Sequence, residues 1–306
     1  MKLDPRHVSS APNLARQFQS AQPFRFLAVD NFLDPNDCNR LLEEFPAFEA
    51  KWAVNEMGIA GRKSAIPNIR QISPAYRDFD QLMQSPTFLA FMGKLTGIDN
   101  LLYDPDYVGG GTHENLHGQD LDVHVDFNFH PKKLWHRRLN LIVFLNPQWE
   151  AEWGGCLELQ KDPWNPNANE TVSVVPILNR AVLFETTESS WHGFKKINLS
   201  NQSLSRKSLA VYFYTKDRPA EETEAAHGTV YAPQPLPDHL QPGHTLSQED
   251  TDTLHILVER RNSQIRFLYE RELEFARTMR EITESPSFQL GRVLTWPARF
   301  LRDKLR

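Results

Sequence analysis

The sequence predicts a mainly β protein, a sandwich or barrel flanked by helices, on three observations. Residues 100–216 hold a succession of short apolar or alternating runs separated by Gly, Pro and Asn, the pattern of an all-β block. Proline-led helical segments precede it, and a long stretch of apolar residues at helical spacing between dense Arg and Glu follows it.

Taken in order, residues 1–23 are polar and show no clear period. Residues 24–29 read as a short strand and 35–45 as a helix, with Asp34 as its cap and Pro35 at the first helical position. Helices are expected over 74–83 and 86–96, so that residues 1–99 form an N-terminal helical support region. Residues 121–129 alternate strictly. Leu121, Val123, Val125, Phe127 and Phe129 fall on one face, and Asp122, His124, Asp126 and Asn128 on the other.

The apolar run LNLIVFL at 139–145 ends at Asn146-Pro147, as a buried strand bounded by a turn should. Gly154-Gly155 opens a strand over 156–159, and 172–176, 181–184 and 208–215 supply more, giving roughly eight strands for the 100–216 core. Residues 217–248 carry Pro, Glu and His without period and read as a linker. Residues 249–306 then form a helical tail, in which Leu254, Leu257, Val258, Ile265, Leu268, Tyr269 and Met279 recur at roughly helical spacing.

Composition narrows the function. Across 306 residues, 40% hydrophobic and 24% charged with a net charge of −5, the chain has the make-up of an ordinary soluble globular protein, and nothing in it favours nucleic-acid binding. Its two cysteines, Cys38 and Cys156, match no metal or disulfide framework, so a reducing cytoplasm is the expected location. No basic start followed by an apolar run stands near Met1, and no membrane span is expected. Five of the 11 histidines, His113, His117, His124, His130 and His136, crowd one short stretch.

Two metal motifs compete there. His113-Glu114-Asn115-Leu116-His117 fits HExxH, in which a helix sets two histidines one turn apart for zinc and the glutamate activates water. That reading, a zinc metallohydrolase, needs a helix, yet Gly109-Gly110-Gly111 and Gly118 flank the pentapeptide. His124-Val125-Asp126 instead places two ligands on one strand face, about 7 Å apart. His192, in a Trp191-His192-Gly193 turn after the 181–184 strand, is the best third ligand. Two histidines and a carboxylate suit iron(II), leaving adjacent positions open for a bidentate cosubstrate and dioxygen. Arg206 and Ser208 share a face of a later strand and suit a cosubstrate's distal carboxylate, while Lys207 points the other way as a solvated charge.

HVDFNFHP, RRLNLIVFLNPQWEAEWGGCLEL, WHGF and SRKSLAVYFYT, in that order over residues 100–216, resemble the prolyl-4-hydroxylase-like 2-oxoglutarate oxygenases. The resemblance implies a double-stranded β-helix (jelly roll), with the N-terminal helices as its support. It implies His124, Asp126 and His192 as iron ligands, Arg206 as the salt-bridge partner of 2-oxoglutarate and Ser208 as its helper. Asn140 is either a further cosubstrate contact or a buried amide bonded to backbone. Phe144 departs from the family pattern, which often has tyrosine there.

The implied reaction couples decarboxylation of 2-oxoglutarate with dioxygen to hydroxylation of a carbon, releasing succinate and carbon dioxide. Peptidyl proline, a glycan and a small molecule all stay open as substrate. A non-catalytic jelly-roll binding module is the remaining alternative. The final residues set Trp296, Phe300 and Leu301 among Arg292, Arg299, Arg302, Lys304 and Arg306, a basic aromatic stretch. Such a tail suits peripheral contact with an anionic inner membrane surface, a protein contact, or packing against the β domain or a homodimer mate.

Overall fold

The computed structural model describes residues 1–53, 63–201 and 203–295. Its chain divides into two compact units, Met1–Gln234 and Pro235–Arg306. In the first, α1 (Pro5–Ser9), α2 (Ala11–Ser20), β1 (Phe26–Val29), α3 (Pro35–Glu43), β2 (Lys63–Ile66), α4 (Pro74–Gln84) and α5 (Pro86–Thr96) lead into the strands. These are β3 (Leu102–Tyr103), β4 (Gly111–Asn115), β5 (Leu121–Val125), β6 (His136–Phe144), β7 (Leu157–Gln160), β8 (Thr171–Val174), β9 (Ala181–Glu185), β10 (Trp191–Phe194), β11 (Arg206–Thr215) and β12 (Val230–Tyr231). The second unit holds α6 (Gln248–Glu284) and α7 (Pro286–Leu294).

Two antiparallel sheets form, ordered β1-β9-β6-β11-β4-β2, with β3 also on β11, and β12-β5-β10-β7-β8. From β4 to β11 the chain passes back and forth between the sheets, the winding of a double-stranded β-helix. Side-chain parity divides the large sheet into two faces. Leu139, Leu141, Val143, Leu183, Leu209, Val211 and Phe213 pack with helical residues such as Phe18, Tyr76, Phe79 and Met92 in the main core. Phe144, Val182 and Phe184 turn the other way, against Leu157, Leu159 and Val174 of the small sheet. Each fully buried side chain of this kind stabilises by about 1.5–3 kcal/mol. The polar residues on the inward face are therefore held rigidly inside the sandwich.

The helix starts follow their caps: Asp34, Ser73 and Ser85 each accept a backbone N–H of the first turn, with proline next in line. Four expectations change. Residues 11–20 form a helix, anchored by buried Leu14 and Phe18 and by Gln19 Nε2 donating to the Thr96 carbonyl at 2.6 Å; one apolar pair is too little to show a period. The front of the chain adds strands to its helices, because β1 and β2 complete the large sheet. Trp191-His192-Gly193 is strand, not turn.

The linker expected over 217–248 is also shorter. Residues up to Gln234 belong to the first unit: β12 pairs with β5, Arg218 Nη2 donates to the Thr186 carbonyl at 3.0 Å and Asn128 Nδ2 to the Ala225 carbonyl at 2.8 Å. These polar and backbone links leave no hydrophobic period to read. The basic aromatic stretch with Trp296 and Phe300 lies outside the described residues. No helix among the described residues is long and apolar enough to cross a membrane.

Candidate metal centre

His124 and His192 face each other as register partners of β5 and β10, and Asp126 follows one residue after β5 ends. The ligand atoms of all three lie within 4.8 Å of one another. Both imidazoles are held the same way. His124 Nδ1 lies 2.8 Å from the Asp122 carbonyl and His192 Nδ1 lies 2.9 Å from that of Ser190. A carbonyl only accepts, so each Nδ1 carries the proton and each Nε2 presents a lone pair. Those lone pairs converge on one carboxylate, His124 Nε2 at 3.7 Å from Asp126 Oδ1 and His192 Nε2 at 3.5 Å from Oδ2. This is the donor set and tautomer that a divalent transition metal needs.

A close approach sets the placement of His192. A Cβ on Gly193 would stand 2.6 Å from the Leu121 carbonyl and 3.0 Å from Val123 Cα, so only glycine lets β10 press against β5 where their register shifts. The sequence offers this glycine as a bend; the structure uses it for contact.

Asp126 is oriented from behind. Asn140 Nδ2 donates to its Oδ2 at 2.7 Å, and Arg137 Nη2 stands 3.1 Å from the same oxygen, leaving Oδ1 turned away from both. Burial alone would raise the pKa of Asp126, but the Arg137 cation first, then the Asn140 hydrogen bond, hold it well below the usual carboxylate range. Arg137 is itself buried, its guanidinium 3.6 Å from the Tyr212 ring centre and 4.4 Å from that of Phe127, and its Nε donates to Asn140 Oδ1 at 3.0 Å. Asn140 thus places its amide on the side chains of Asp126 and Arg137, not on backbone.

Arg137 escapes sequence reasoning for a geometric reason. Strict alternation puts residues 137 and 140 on opposite faces, but β6 pairs Leu139 with Phe213 and Arg137 with Tyr214, skipping Arg138. That bulge turns Arg137 inward to join Asn140. Tyr231 was also missed. It pairs with His124 across β12 and β5, its ring 5.4 Å from the imidazole, and it comes from the segment expected to be a linker.

Arg206 and Ser208 lie on the inward face of β11, both buried, as alternation predicts. Arg206 Nε donates to the Gly155 carbonyl at 2.6 Å, and the guanidinium lies 4.3 Å from the Phe194 ring centre and 5.0 Å from that of Phe144. Among the described residues no carboxylate pairs with it, and burial pulls its pKa down to about 10. Leaving a charge buried and unpaired is expensive, so the arrangement suits an arriving carboxylate. Lys207, on the other face, ion-pairs with Glu114 at 3.2 Å instead of standing free in solvent.

The HExxH reading fails on this geometry. His113 and Glu114 are on β4, a strand. Glu114 also accepts from the Ser205 hydroxyl at 2.6 Å, and His117 Nδ1 accepts the Leu199 N–H at 3.0 Å. No metal group among the described residues contains His113 or His117.

Comparison with known proteins bears on the same strands. The family model described as the 2OG-Fe(II) oxygenase superfamily matches residues 111–214. This segment is a 2OG-Fe(II) oxygenase domain. Oxygenases of that superfamily use iron(II), 2-oxoglutarate and dioxygen, and the matched residues include His124, Asp126, His192 and Arg206. A prolyl 3-hydroxylase of Mus musculus, OGFOD1, is 30% identical over 86 residues, which span 28% of this chain and 15% of that protein. Among solved structures, a prolyl hydroxylase from Trichoplax adhaerens, in complex with a hypoxia inducible factor peptide fragment, aligns at 14% identity and a TM-score of 0.49, covering 72% of this chain and 98% of that one. HygX from Streptomyces hygroscopicus, with nickel and 2-oxoglutarate bound, aligns at 15% identity and a TM-score of 0.45, covering 69% and 94%.

Proposed function

We propose that His124, Asp126 and His192 hold the iron, that Arg206 with Ser208 grips the far carboxylate of 2-oxoglutarate, and that the enzyme hydroxylates an unactivated carbon of a peptide, glycan or small molecule, yielding succinate and carbon dioxide. The observation that carries this reading is the pair of Nε2 lone pairs aimed at one carboxylate, each fixed by an Nδ1–H on a backbone carbonyl. Bound iron(II) supplies the activation of dioxygen for oxidative decarboxylation and hydroxyl transfer.

The chain's own residues prepare that event. Asn140 and Arg137 fix the Asp126 carboxylate through Oδ2 and hold it ionised beside the two histidines. Arg206 and Ser208 fix one end of the cosubstrate, so that its keto-acid end is oriented by two-point attachment. Phe144, Phe184 and Phe194 border these groups and exclude water, which strengthens the Arg206–carboxylate attraction. Trp164, exposed and 6.0 Å from the ring of Trp191, belongs to the loop after β7 beside His192 and is suited to reading substrate. The match to a prolyl 3-hydroxylase makes prolyl peptides the first substrates to test. Two free, buried cysteines fit a reducing compartment such as the cytoplasm.

The test is succinate release with iron(II) and 2-oxoglutarate, screened over peptide and glycan libraries, with product masses checked for one added oxygen. Iron-dependent release that disappears in His124→Ala supports the reading. Release that persists in that variant, or needs no iron, contradicts it.

A further inference from the structure

We infer that α6 is the antiparallel dimerisation helix of this protein, its partner being α6 of a second copy. The helix has 37 residues, about 55 Å at 1.5 Å per residue, and Asp250 is its one buried residue. Val258, Ile265, Leu268, Phe275, Met279 and Ile282 are 43–67% exposed. With Leu254 in front, these positions step along the helix by alternating four and three residues when Arg261 and Glu272 are counted in. That is the 3.5-residue period of a coiled-coil seam, in place of the 3.6 of a helix lying on a globular core. A bare seam of this length is not a stable free surface.

The two charged residues in the seam decide what covers it. Heptad assignment puts Val258, Ile265, Glu272 and Met279 at a and Leu254, Arg261, Leu268 and Phe275 at d. In an antiparallel pair, a positions meet d positions. A single two-fold axis between Ile265 and Leu268 then brings Leu254 against the partner's Met279, Val258 against the partner's Phe275, and Ile265 against the partner's Leu268. The same axis sets Arg261 against the partner's Glu272, and by symmetry Glu272 against the partner's Arg261. Both charged positions are exposed, and no ion pair joins either to another described residue. A parallel, in-register pair would instead oppose Arg261 to itself and Glu272 to itself, two like-charge layers that are each costly. The flanking positions Asn262, Gln264, Tyr269, Ala276 and Thr278 are uncharged and Arg271 falls opposite the partner's Gln264, so no like charges meet at the rim.

The sequence thus encodes direction as well as register: an apolar seam of about 39 Å, from Leu254 to Met279 at 1.5 Å per residue, with one complementary charge layer on each side of its centre. A polar layer inside an apolar seam is a recognised device for fixing register and partner number at some cost in stability.

Sedimentation velocity on the full chain over a concentration series tests this. The unmodified protein should dimerise. Arg261→Glu sets glutamate against Glu272 twice and should raise the dimer dissociation constant by at least about tenfold, as should Glu272→Arg by the opposite clash. The double variant Arg261→Glu/Glu272→Arg restores opposite charges and should recover dimerisation. Circular dichroism shows that each variant keeps its helix content. A chain that stays monomeric at high micromolar concentration overturns the inference. So does a dimer indifferent to the single charge reversals, or one that the double reversal does not rescue.

Discussion

Replacing Arg137 by methionine keeps most of the side-chain volume between Phe127 and Tyr212 but removes the cation beside Asp126. The Asp126 side chain is 11% exposed, with its carboxylate 3.1 Å from the buried Arg137 Nη2, and removing one member of such a pair typically costs about 3–5 kcal/mol. Asn140 still donates to the carboxylate, which places the loss near the lower end, about 3 kcal/mol. For a unit of this size each kcal/mol moves Tm by about 2–4 °C, so metal-free Arg137→Met should melt about 6–12 °C below the parent.

The sign of the pH dependence follows from the depressed pKa of Asp126. A carboxyl held below its unfolded value of about 3.9 stabilises the fold above that pH and loses this contribution as pH falls through the folded value. In Arg137→Met burial dominates and the carboxyl moves upward, so the Tm gap should be widest near neutral pH and close as pH falls toward about 4. Nickel(II), bound as an inert cation, supplies the missing countercharge and should shrink the gap. Differential scanning calorimetry with and without the metal measures all three effects. An unchanged Tm, or a gap indifferent to both metal and pH, would refute the assignment of Arg137 as the electrostatic support of Asp126.

Arg206→Met should behave in the opposite way. Removing a buried guanidinium with no acid partner should leave the apo protein as stable as the parent, or about 1 kcal/mol more stable, while the KM for 2-oxoglutarate rises by about 100-fold through loss of a charge-assisted contact; thermal melts and initial rates check the two halves. Asn140→Ala should weaken iron binding by about 10–100-fold with little change in 2-oxoglutarate affinity at saturating iron, because the amide orients a ligand and does not touch cosubstrate; metal-competition titration measures it. Gly193→Ala forces a Cβ to 2.6 Å from the Leu121 carbonyl, so β5 and β10 must part. Iron affinity should then fall at least as far as in Asn140→Ala although no ligand has been changed.

The candidate site was legible where its residues obey simple periodicities. His124 and Asp126 share a face by strand alternation, and so do Arg206 and Ser208, even though β5 stops at Val125, one residue before the aspartate. Where the backbone departs from periodicity, legibility ends. The skipped residue in β6 hides Arg137 from any parity rule, and without Arg137 and Asn140 the protonation state of Asp126 has no cause. Chain segments that join sheets through main-chain hydrogen bonds, such as β12, carry little hydrophobic signal and read as linker. The helices α3, α4 and α5 were readable because Asp34, Ser73 and Ser85 stand before prolines, a local signal independent of tertiary context. The HExxH match shows the converse, a correct letter pattern on the wrong secondary structure, where side chains one helical turn apart become residues along a strand and its following turn.

The central claim is that iron(II) and 2-oxoglutarate meet on His124, Asp126 and His192, and anaerobic titration of the protein with both tests it most directly. Chelation of 2-oxoglutarate to iron at an open facial site gives a visible charge-transfer band. The band should appear in the parent protein and in His117→Ala, and should be absent from His124→Ala and Asp126→Ala. A band that survives either of the last two substitutions, or one that never forms in the parent, contradicts the assignment.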